Sequence, residues 1–220
     1  MSTETVKDPT RARATRNRKW WALWGLMALS AAGFAVGSVP PYLTGDAADA
    51  PLPLNPDVAL HYLSLMVHAV PGGLALALGP LQFVKRLRTS RPKLHRVIGR
   101  IYMISIVVAS IAAVVNAVVT ISGFAVQVAF FILVAAWLYT VAMAYRCIRR
   151  GEVQAHRMWM IRNYALTFAA VTLRIYLLAG LQLAPSLGFE AIYTSAVWAS
   201  ILGNVLVAEY FIVTPLTRRR

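Results

Sequence analysis

The chain has 220 residues, of which 59% are hydrophobic and only 14% are charged, whereas an ordinary soluble domain has about 25% charged residues. This composition argues against a soluble globular fold, and the single Cys147 excludes an intrachain disulfide and a cysteine-based metal cage. The net charge of +14 would suit a nucleic-acid-binding protein, but the basic residues are confined to connectors between apolar runs, so no nucleic-acid partner is expected.

Six apolar runs follow one another along the chain, and each is long enough to cross a bilayer core of about 30 Å as an α-helix. The sequence therefore predicts an all-α fold, a polytopic bundle of six transmembrane helices forming one membrane domain at residues 20–213. Two basic tails flank it, residues 1–19, which are expected to be disordered, and residues 214–220. The predicted spans are residues 20–39, 58–84, 97–121, 124–145, 155–180 and 191–213.

The distribution of basic residues predicts the orientation of these spans. Lysine and arginine occur in both tails and in the second and fourth connectors, whereas the first, third and fifth connectors contain neither. Positively charged loops stay on the cytoplasmic side of a membrane. Both termini are therefore expected in the cytoplasm of a bacterial cell, with the protein in its inner (cytoplasmic) membrane. The basic loops are expected to meet anionic lipid headgroups there.

Small residues predict where helices approach one another. Gly33-x-x-x-Gly37 lies in the first span, and Ala109, Ala113 and Ala117 follow at four-residue spacing in the third. Residues of this size at this spacing let two helix backbones pack closely in a membrane. Both stripes are expected at helix contacts.

The second span places two histidines on one helical face, because His61 and His68 are seven residues apart. Gly72 and Gly79 continue the same face. The glycines leave room either for a planar ligand or for a neighbouring helix. In the second case His61 lies among the headgroups and His68 bonds another helix.

His95 and His156 begin the third and fifth spans and are therefore expected at similar depth on different helices. That arrangement suits the two axial ligands of a haem b iron. Four arginines are candidates to receive the haem propionates: Arg96, Arg100, Arg157 and Arg162. Alternatively, both histidines lie in the polar interface and bind nothing, or contact lipid headgroups.

The fifth span carries a polar stripe in which Asn163 and Arg174 lie within about 20° of the line through His156. Arg174 has no acid at its own depth, because Glu209 lies at the other end of the sixth span and is expected to pair with Arg100 or Arg162. Arg174 would then reach Asp57 or Glu190, bond backbone carbonyls or hold an anion. A pocket lined by Arg174, His68 and Asn116 is the preferred candidate site, and an internal polar clasp is the alternative reading.

Two stretches carry a resemblance to a known family. They are HAVPGGLALALGPLQFVKRLRTSRPKLHRVIGRIYM at residues 68–103 and HRMWMIRNYALTFAAVTLRIYL at residues 156–177. Together they resemble the bacterial predicted membrane proteins grouped as domain of unknown function 2306, over residues 60–180. The resemblance implies a multi-pass membrane protein and assigns no cofactor, substrate or catalytic residue.

A weaker likeness is to transmembrane di-haem cytochromes b, which need histidine pairs at two depths on different helices. Here His61 and His68 share one helix and cannot bracket one iron. A single haem on the cytoplasmic side is compatible with the histidines present.

Three functions fit these features. The first is redox chemistry with a haem b at His95 and His156, or with a quinone at His68 and Arg174. The second is transport of a small anionic or lipidic solute with Arg174 as its contact, and the third is a non-catalytic assembly protein. The sequence contains no phosphate-binding glycine loop, no His-Glu-x-x-His and no Gly-x-Ser-x-Gly. This argues against the enzyme classes that these motifs mark, and it does not exclude an enzyme of another class.

The charge pattern makes a topology prediction that reporter fusions can test. A reporter that works only in the periplasm is expected to be active when it is inserted in residues 40–57. A reporter that works only in the cytoplasm is expected to be active when it is inserted after Thr89, because the basic second connector stays inside. Finding both positions in one compartment contradicts the six-span topology.

Overall fold

The computed structural model describes residues 9–50 and 54–217, without the side chains of residues 9–17, 19 and 213–217. The described residues form helices and turns and contain no strand. Three single-turn 3-10 helices at Pro40–Tyr42, Ala47–Asp49 and Pro185–Leu187 lie in the connectors. The α-helices are α1 (Pro9–Ser38), α2 (His61–Gln82), α3 (Lys85–Ser90), α4 (Pro92–Val119), α5 (Phe124–Arg149), α6 (Val153–Leu183) and α7 (Phe189–Thr217).

Six of these helices are long and apolar enough to cross a membrane, which confirms the six-span, all-α prediction. The largest differences from the predicted bounds are at helix ends. α4 begins at Pro92, before the predicted residue 97, because proline suits the first turn of a helix and the polar residues that follow continue it. α1 likewise includes residues 9–19 of the predicted tail, and residues 1–8 lie outside the described part of the chain.

The connectors give the bundle two distinct ends. The connectors α2–α4 and α5–α6 carry the basic clusters and lie at one end, called the basic end below. The connectors α1–α2, α4–α5 and α6–α7 lie at the opposite end. The tight α4–α5 hairpin turns at Gly123, whose φ of 92° is a conformation that side-chain-bearing residues rarely adopt.

Four of the helices form a ring. α2 packs against α4, α4 against α5 and α5 against α6, and contacts between α2 and α6 close the circle. Helix α1 packs outside the ring on α2, and α7 packs outside it on α6. α4 and α6 therefore face each other across a diagonal of the ring. Their backbones do not pack together directly, so any contact between them is made by side chains reaching across.

Helix α2 lies close against α6 at Gly79. A Cβ atom placed there would overlap the ring of Tyr164, whose hydroxyl donates a hydrogen bond to the Leu76 carbonyl at 3.1 Å. The Tyr164 ring also lies edge-on to the Phe83 ring, with centroids 5.6 Å apart, so this contact and the hydrogen bond hold it in place. Gly79 is thus the position at which the ring of four helices is closed.

The two small-residue stripes have different outcomes. Ala109, Ala113 and Ala117 are buried on α4, as expected for a helix contact. The expectation for Gly33 and Gly37 is wrong, because a Cβ atom at either position would meet nothing within 4 Å. The physical reason is the rotation of α1, which presents another face to α2 and places Val39 against Gly73.

These glycine environments predict opposite responses to an added methyl group. Gly79→Ala is expected to lower the free energy of unfolding by about 1–3 kcal/mol, because the Tyr164 ring is anchored and the helices must shift. Gly37→Ala adds the same atom in open space and is expected to be neutral or slightly stabilising. Thermal unfolding of both variants in one detergent checks this. Equal midpoints would show that Gly79 does not close the ring.

Candidate functional site

Polar side chains inside the ring lie along one line from the basic end to the opposite end. On α4 this line is marked by His95, Tyr102 and Asn116, which are separated by multiples of seven residues. A seven-residue step is about two helical turns, so these side chains share one face. The partners that α2, α5 and α6 supply along this face define what each polar group can do.

Five side chains near the middle of the ring form one hydrogen-bonded cluster, the central clasp. They are all buried: Tyr102, Trp137, Thr140, Asn163 and Thr167. The Tyr102 hydroxyl donates to Asn163 Oδ1 at 2.7 Å, and Asn163 Nδ2 donates to the Trp137 carbonyl and to Thr140 Oγ1, each at 2.9 Å. Trp137 Nε1 donates to Thr167 Oγ1 at 2.9 Å. The clasp therefore joins α4 to α6 across the diagonal and includes α5.

The clasp uses the polar atoms of Asn163, one of the predicted cofactor-binding residues. Both amide donors and the amide oxygen already have partners. An amide in apolar surroundings is stable only when these bonds are made. In this arrangement Asn163 holds the bundle together and has no donor left for a cofactor.

The predicted pocket of His68, Asn116 and Arg174 is divided in the structure. Asn116 exchanges hydrogen bonds with Ser64 of α2 through its amide oxygen and nitrogen. His68 Nδ1 lies 3.0 Å from the Ala109 carbonyl of α4 and must donate its proton, because a carbonyl only accepts. His68 therefore bonds another helix, and its Nε2 carries a lone pair instead of a proton.

Arg174 is the third member of that pocket and makes no hydrogen bond or ion pair with the described residues. Its guanidinium lies over the Phe34 ring, 5.6 Å from the centroid. His68, Tyr42 and Tyr193 lie within electrostatic range of it. The structure thus brings Arg174 and His68 to one region without a bond between them.

His61 is buried at the opposite end, where it supports the first connector. Its Nδ1 accepts a hydrogen bond from the Asn55 backbone N–H at 2.8 Å, and the Asn55 side chain donates to the Val119 carbonyl at 3.1 Å. These bonds fasten the α1–α2 connector to the end of α4. His61 therefore stabilises the position of the first connector.

The basic end brings the other two predicted ligands together. His95 of α4 and His156 of α6 lie within electrostatic range of each other, across the diagonal of the ring. His156 Nδ1 donates to the Ala144 carbonyl of α5 at 2.8 Å. His95 Nδ1 is buried and has no hydrogen-bond partner within the described part of the chain.

A second unpartnered polar atom lies beside this histidine pair. Gln82, at the end of α2, is buried, and its Nε2 bonds nothing among the described residues. The Gln82 side chain lies against Gly99, which follows His95 by one turn on α4. Buried polar atoms without partners are uncommon in a folded protein, and Ser110 Oγ, further along α4, is a third one among the described residues.

The electrostatics of the basic end are strongly positive. Burial, and then the neighbouring charge of Arg157, lower the pKa of the Arg88 guanidinium, which nevertheless stays protonated. Arg88 also lies within electrostatic range of His95. An anionic group beside the histidine pair would be stabilised by these two arginines.

The remaining predicted arginines have other surroundings. Arg162 forms a bidentate ion pair with Glu209, at 2.6 and 2.9 Å, which is one of the two pairings expected from the sequence. Arg162 is therefore occupied and does not reach the histidine pair as a free cation. Arg96 and Arg100 are exposed at the start of α4.

Several residues in these clusters were not among the sequence predictions. Tyr102, Trp137 and Gln82 carry no local signal, although Tyr102 follows His95 by seven residues and could have been placed on its face. A separate contact between α6 and α7 was also missed, in which Asn204 Nδ2 donates to the Ala165 carbonyl at 3.0 Å and to Thr172 Oγ1 at 3.1 Å.

Two of the grooves on the described part of the protein lie away from the predicted site residues. Their volumes are about 320 and 210 Å³, and they are mainly apolar. In the described residues, no group of three or more His, Cys, Asp or Glu side chains is placed to hold a metal ion.

One family model matches the chain. It is described as Predicted membrane protein (DUF2306), and it matches residues 65–212, which include α4, α5 and α6 and most of α2 and α7. No curated protein and no solved structure matches the chain. The likeness to transmembrane cytochromes b therefore finds no support in these comparisons.

The central clasp makes a prediction about stability. Tyr102→Phe removes one hydroxyl and leaves Asn163 Oδ1 without its donor, so the free energy of unfolding is expected to fall by about 1 kcal/mol, within the range measured for hydrogen bonds between membrane helices. Tyr139→Phe is the matched control, because Tyr139 is exposed on α5. Unfolding in mixed detergent compares the two variants, and equal stabilities would contradict the clasp.

Proposed function

We propose, for a chain that belongs to the DUF2306 family of predicted membrane proteins, that it binds one haem b between His95 and His156 and carries electrons. The bound haem would supply one-electron chemistry by cycling its iron between the ferric and ferrous states. The chain's own residues would hold the haem, set the orientation of its ligands and balance its charge.

The observation that carries this proposal is the hydrogen bond from His156 Nδ1 to the Ala144 carbonyl. A neutral imidazole that keeps its proton on Nδ1 has on Nε2 the lone pair that a metal needs. Metal-binding histidines commonly donate their other N–H to a backbone carbonyl, which fixes the tautomer and the ring orientation. His156 would therefore be suited to bind the haem iron.

The place of the pair in the ring also supports the proposal. α4 and α6 are diagonal partners whose backbones do not pack together, so the space between them is spanned by side chains. Cofactor sites in helical bundles are built from side chains that project inward from facing helices. His95 and His156 meet this condition at one depth, whereas His61 and His68 lie on a single helix.

The number of ligands favours a haem over a bare metal ion. Two imidazoles leave half of the positions of a four-coordinate zinc or copper ion unfilled, and the described residues offer no third ligand at this place. A haem needs only two axial ligands, because its macrocycle supplies the other four nitrogens. The unpartnered Gln82 Nε2 and the guanidinium groups of Arg88 and Arg157 are suited to the propionates.

The alternative redox partner, a quinone at His68 and Arg174, has less support. The His68 proton is used by the Ala109 carbonyl, so its Nε2 has no proton to donate to a quinone oxygen. Arg174 remains a donor, and that observation favours a second candidate function, the transport of an anionic or lipidic solute. Such transport would require the central clasp to open, since it closes the middle of the ring in this conformation.

The haem proposal is tested by a visible spectrum of the purified protein after haem-replete expression. A Soret band and the sharp reduced bands of a low-spin, bis-imidazole haem are expected. His95→Ala and His156→Ala are each expected to lose this spectrum, and external imidazole is expected to restore it in part, because it replaces the missing ligand. His61→Gln is the control and is expected to keep the spectrum.

Two results would reject the proposal. One is a colourless protein that takes up no haem in vitro. The other is an unchanged spectrum in both His95→Ala and His156→Ala, which would place a bound haem elsewhere.

A further inference from the structure

Among the described residues, Arg174 is a cation within a membrane-spanning helix that has no counter-charge. Arg162 is neutralised by Glu209, and this is the one ion pair among the described residues. Arg174 lies on the same helix toward the opposite end and has no such partner. An arginine at the centre of a span costs at least about 2.5 kcal/mol, and one nearer the end lowers that cost when its guanidinium reaches an anion or water.

Protein acids do not supply such an anion in the described residues. Glu190, which begins α7, directs a carboxylate oxygen toward Gly123 of the α4–α5 hairpin. Asp46 accepts a hydrogen bond from the Ala48 backbone N–H at 2.8 Å and forms part of the first connector. Neither acid forms an ion pair with Arg174.

Besides His68, two hydrogen-bond donors lie near Arg174. The hydroxyls of Tyr42 and Tyr193 lie within electrostatic range of its guanidinium, and Tyr42 is also within range of Tyr62 and Tyr193. Tyr42 and Tyr193 are buried, whereas the Phe34 ring supports the guanidinium from α1. A cation and two phenol hydroxyls thus gather without an anion among them.

The depth of Arg174 indicates where an anion would come from. α6 runs from residue 153 to residue 183, so its middle is residue 168. If this middle lies at the centre of a core about 30 Å thick, the core ends near residue 178 at about 1.5 Å per residue. Arg174 then lies about 6 Å inside that boundary, within the reach of an arginine side chain to the level of lipid phosphates.

We propose that Arg174, Tyr42 and Tyr193 form a binding site for a phosphate group at the opposite end of the bundle, between α1, α6 and α7. The guanidinium fork matches two phosphate oxygens, and the phenol hydroxyls donate to the remaining ones. The phosphate belongs either to a lipid headgroup that enters beside α1 or to a water-soluble anion. This site is separate from the histidine pair, and a bound phosphate would neutralise Arg174, a half-buried cation that has no ion pair with the described residues.

Thermal unfolding of the purified full chain in a phosphate-free, non-ionic detergent tests this site. Three probes are compared: dioctanoyl phosphatidylglycerol, dioctanoyl phosphatidylcholine and inorganic phosphate. Near saturation, a ligand that binds the folded state is expected to raise the midpoint by about 5 °C. Stabilisation by the lipids alone assigns the phosphate to a headgroup, and stabilisation by inorganic phosphate assigns it to a soluble anion.

Matched variants decide whether the effect belongs to Arg174. Arg174→Gln is expected to lose most of the midpoint shift, whereas Arg100→Gln removes the same charge from an exposed position at the basic end and is expected to keep it. Arg174→Lys preserves the charge without the fork, so it is expected to fold and to retain a smaller shift. Tyr193→Phe is expected to weaken binding several-fold.

The proposal is overturned if none of the three probes stabilises the unaltered protein. It is equally overturned if Arg174→Gln and Arg174→Lys both keep the shift seen in Arg100→Gln. That second result would assign the stabilisation to the arginines of the basic end, which also attract anionic lipids.

Discussion

Inside an apolar bundle a polar side chain has no water to bond, so another helix must provide its partner. The central clasp shows how this constraint organises the protein. Asn163 of α6 is satisfied only when Tyr102 reaches it from α4 and when α5 presents the Trp137 carbonyl and Thr140. These bonds fix the rotation of α4 and α6 and the distance between them. The positions of the groups above and below the clasp on the same helices follow from it.

Seven residues before Tyr102 and Asn163, the same two helices carry His95 and His156. Because seven residues are about two turns, the clasp and the histidine pair share one diagonal of the ring. The clasp has all its bonds made, whereas His95 Nδ1 and Gln82 Nε2 have no partner among the described residues. In the proposed function the clasp holds the fold together and the histidine pair would hold the cofactor. Arg174, beyond the clasp, is the corresponding open group at the opposite end.

Much of the architecture could be predicted from the sequence. The six spans, the short α4–α5 hairpin and the shared face of His156, Asn163 and Thr167 are local properties of the chain, and the structure confirms the spans. The small-residue rule succeeded for Ala109 on α4 and failed for Gly33 and Gly37 on α1. It failed because spacing shows that a face is able to pack closely, and not whether another helix lies against it.

By itself the sequence determined the number of membrane-spanning helices, their ends to within about five residues except at the start of α1, and the expected sidedness of the basic connectors. Each of these depends on how a stretch of chain partitions between lipid and water, which its own residues decide. Only the tertiary structure decided that Asn163 bonds Tyr102, that His68 bonds the Ala109 carbonyl and that Arg174 lies over Phe34. Those contacts depend on the rotation of one helix against another, which is set by close packing at places such as Gly79 and Tyr164. No local pattern in the chain contains that information.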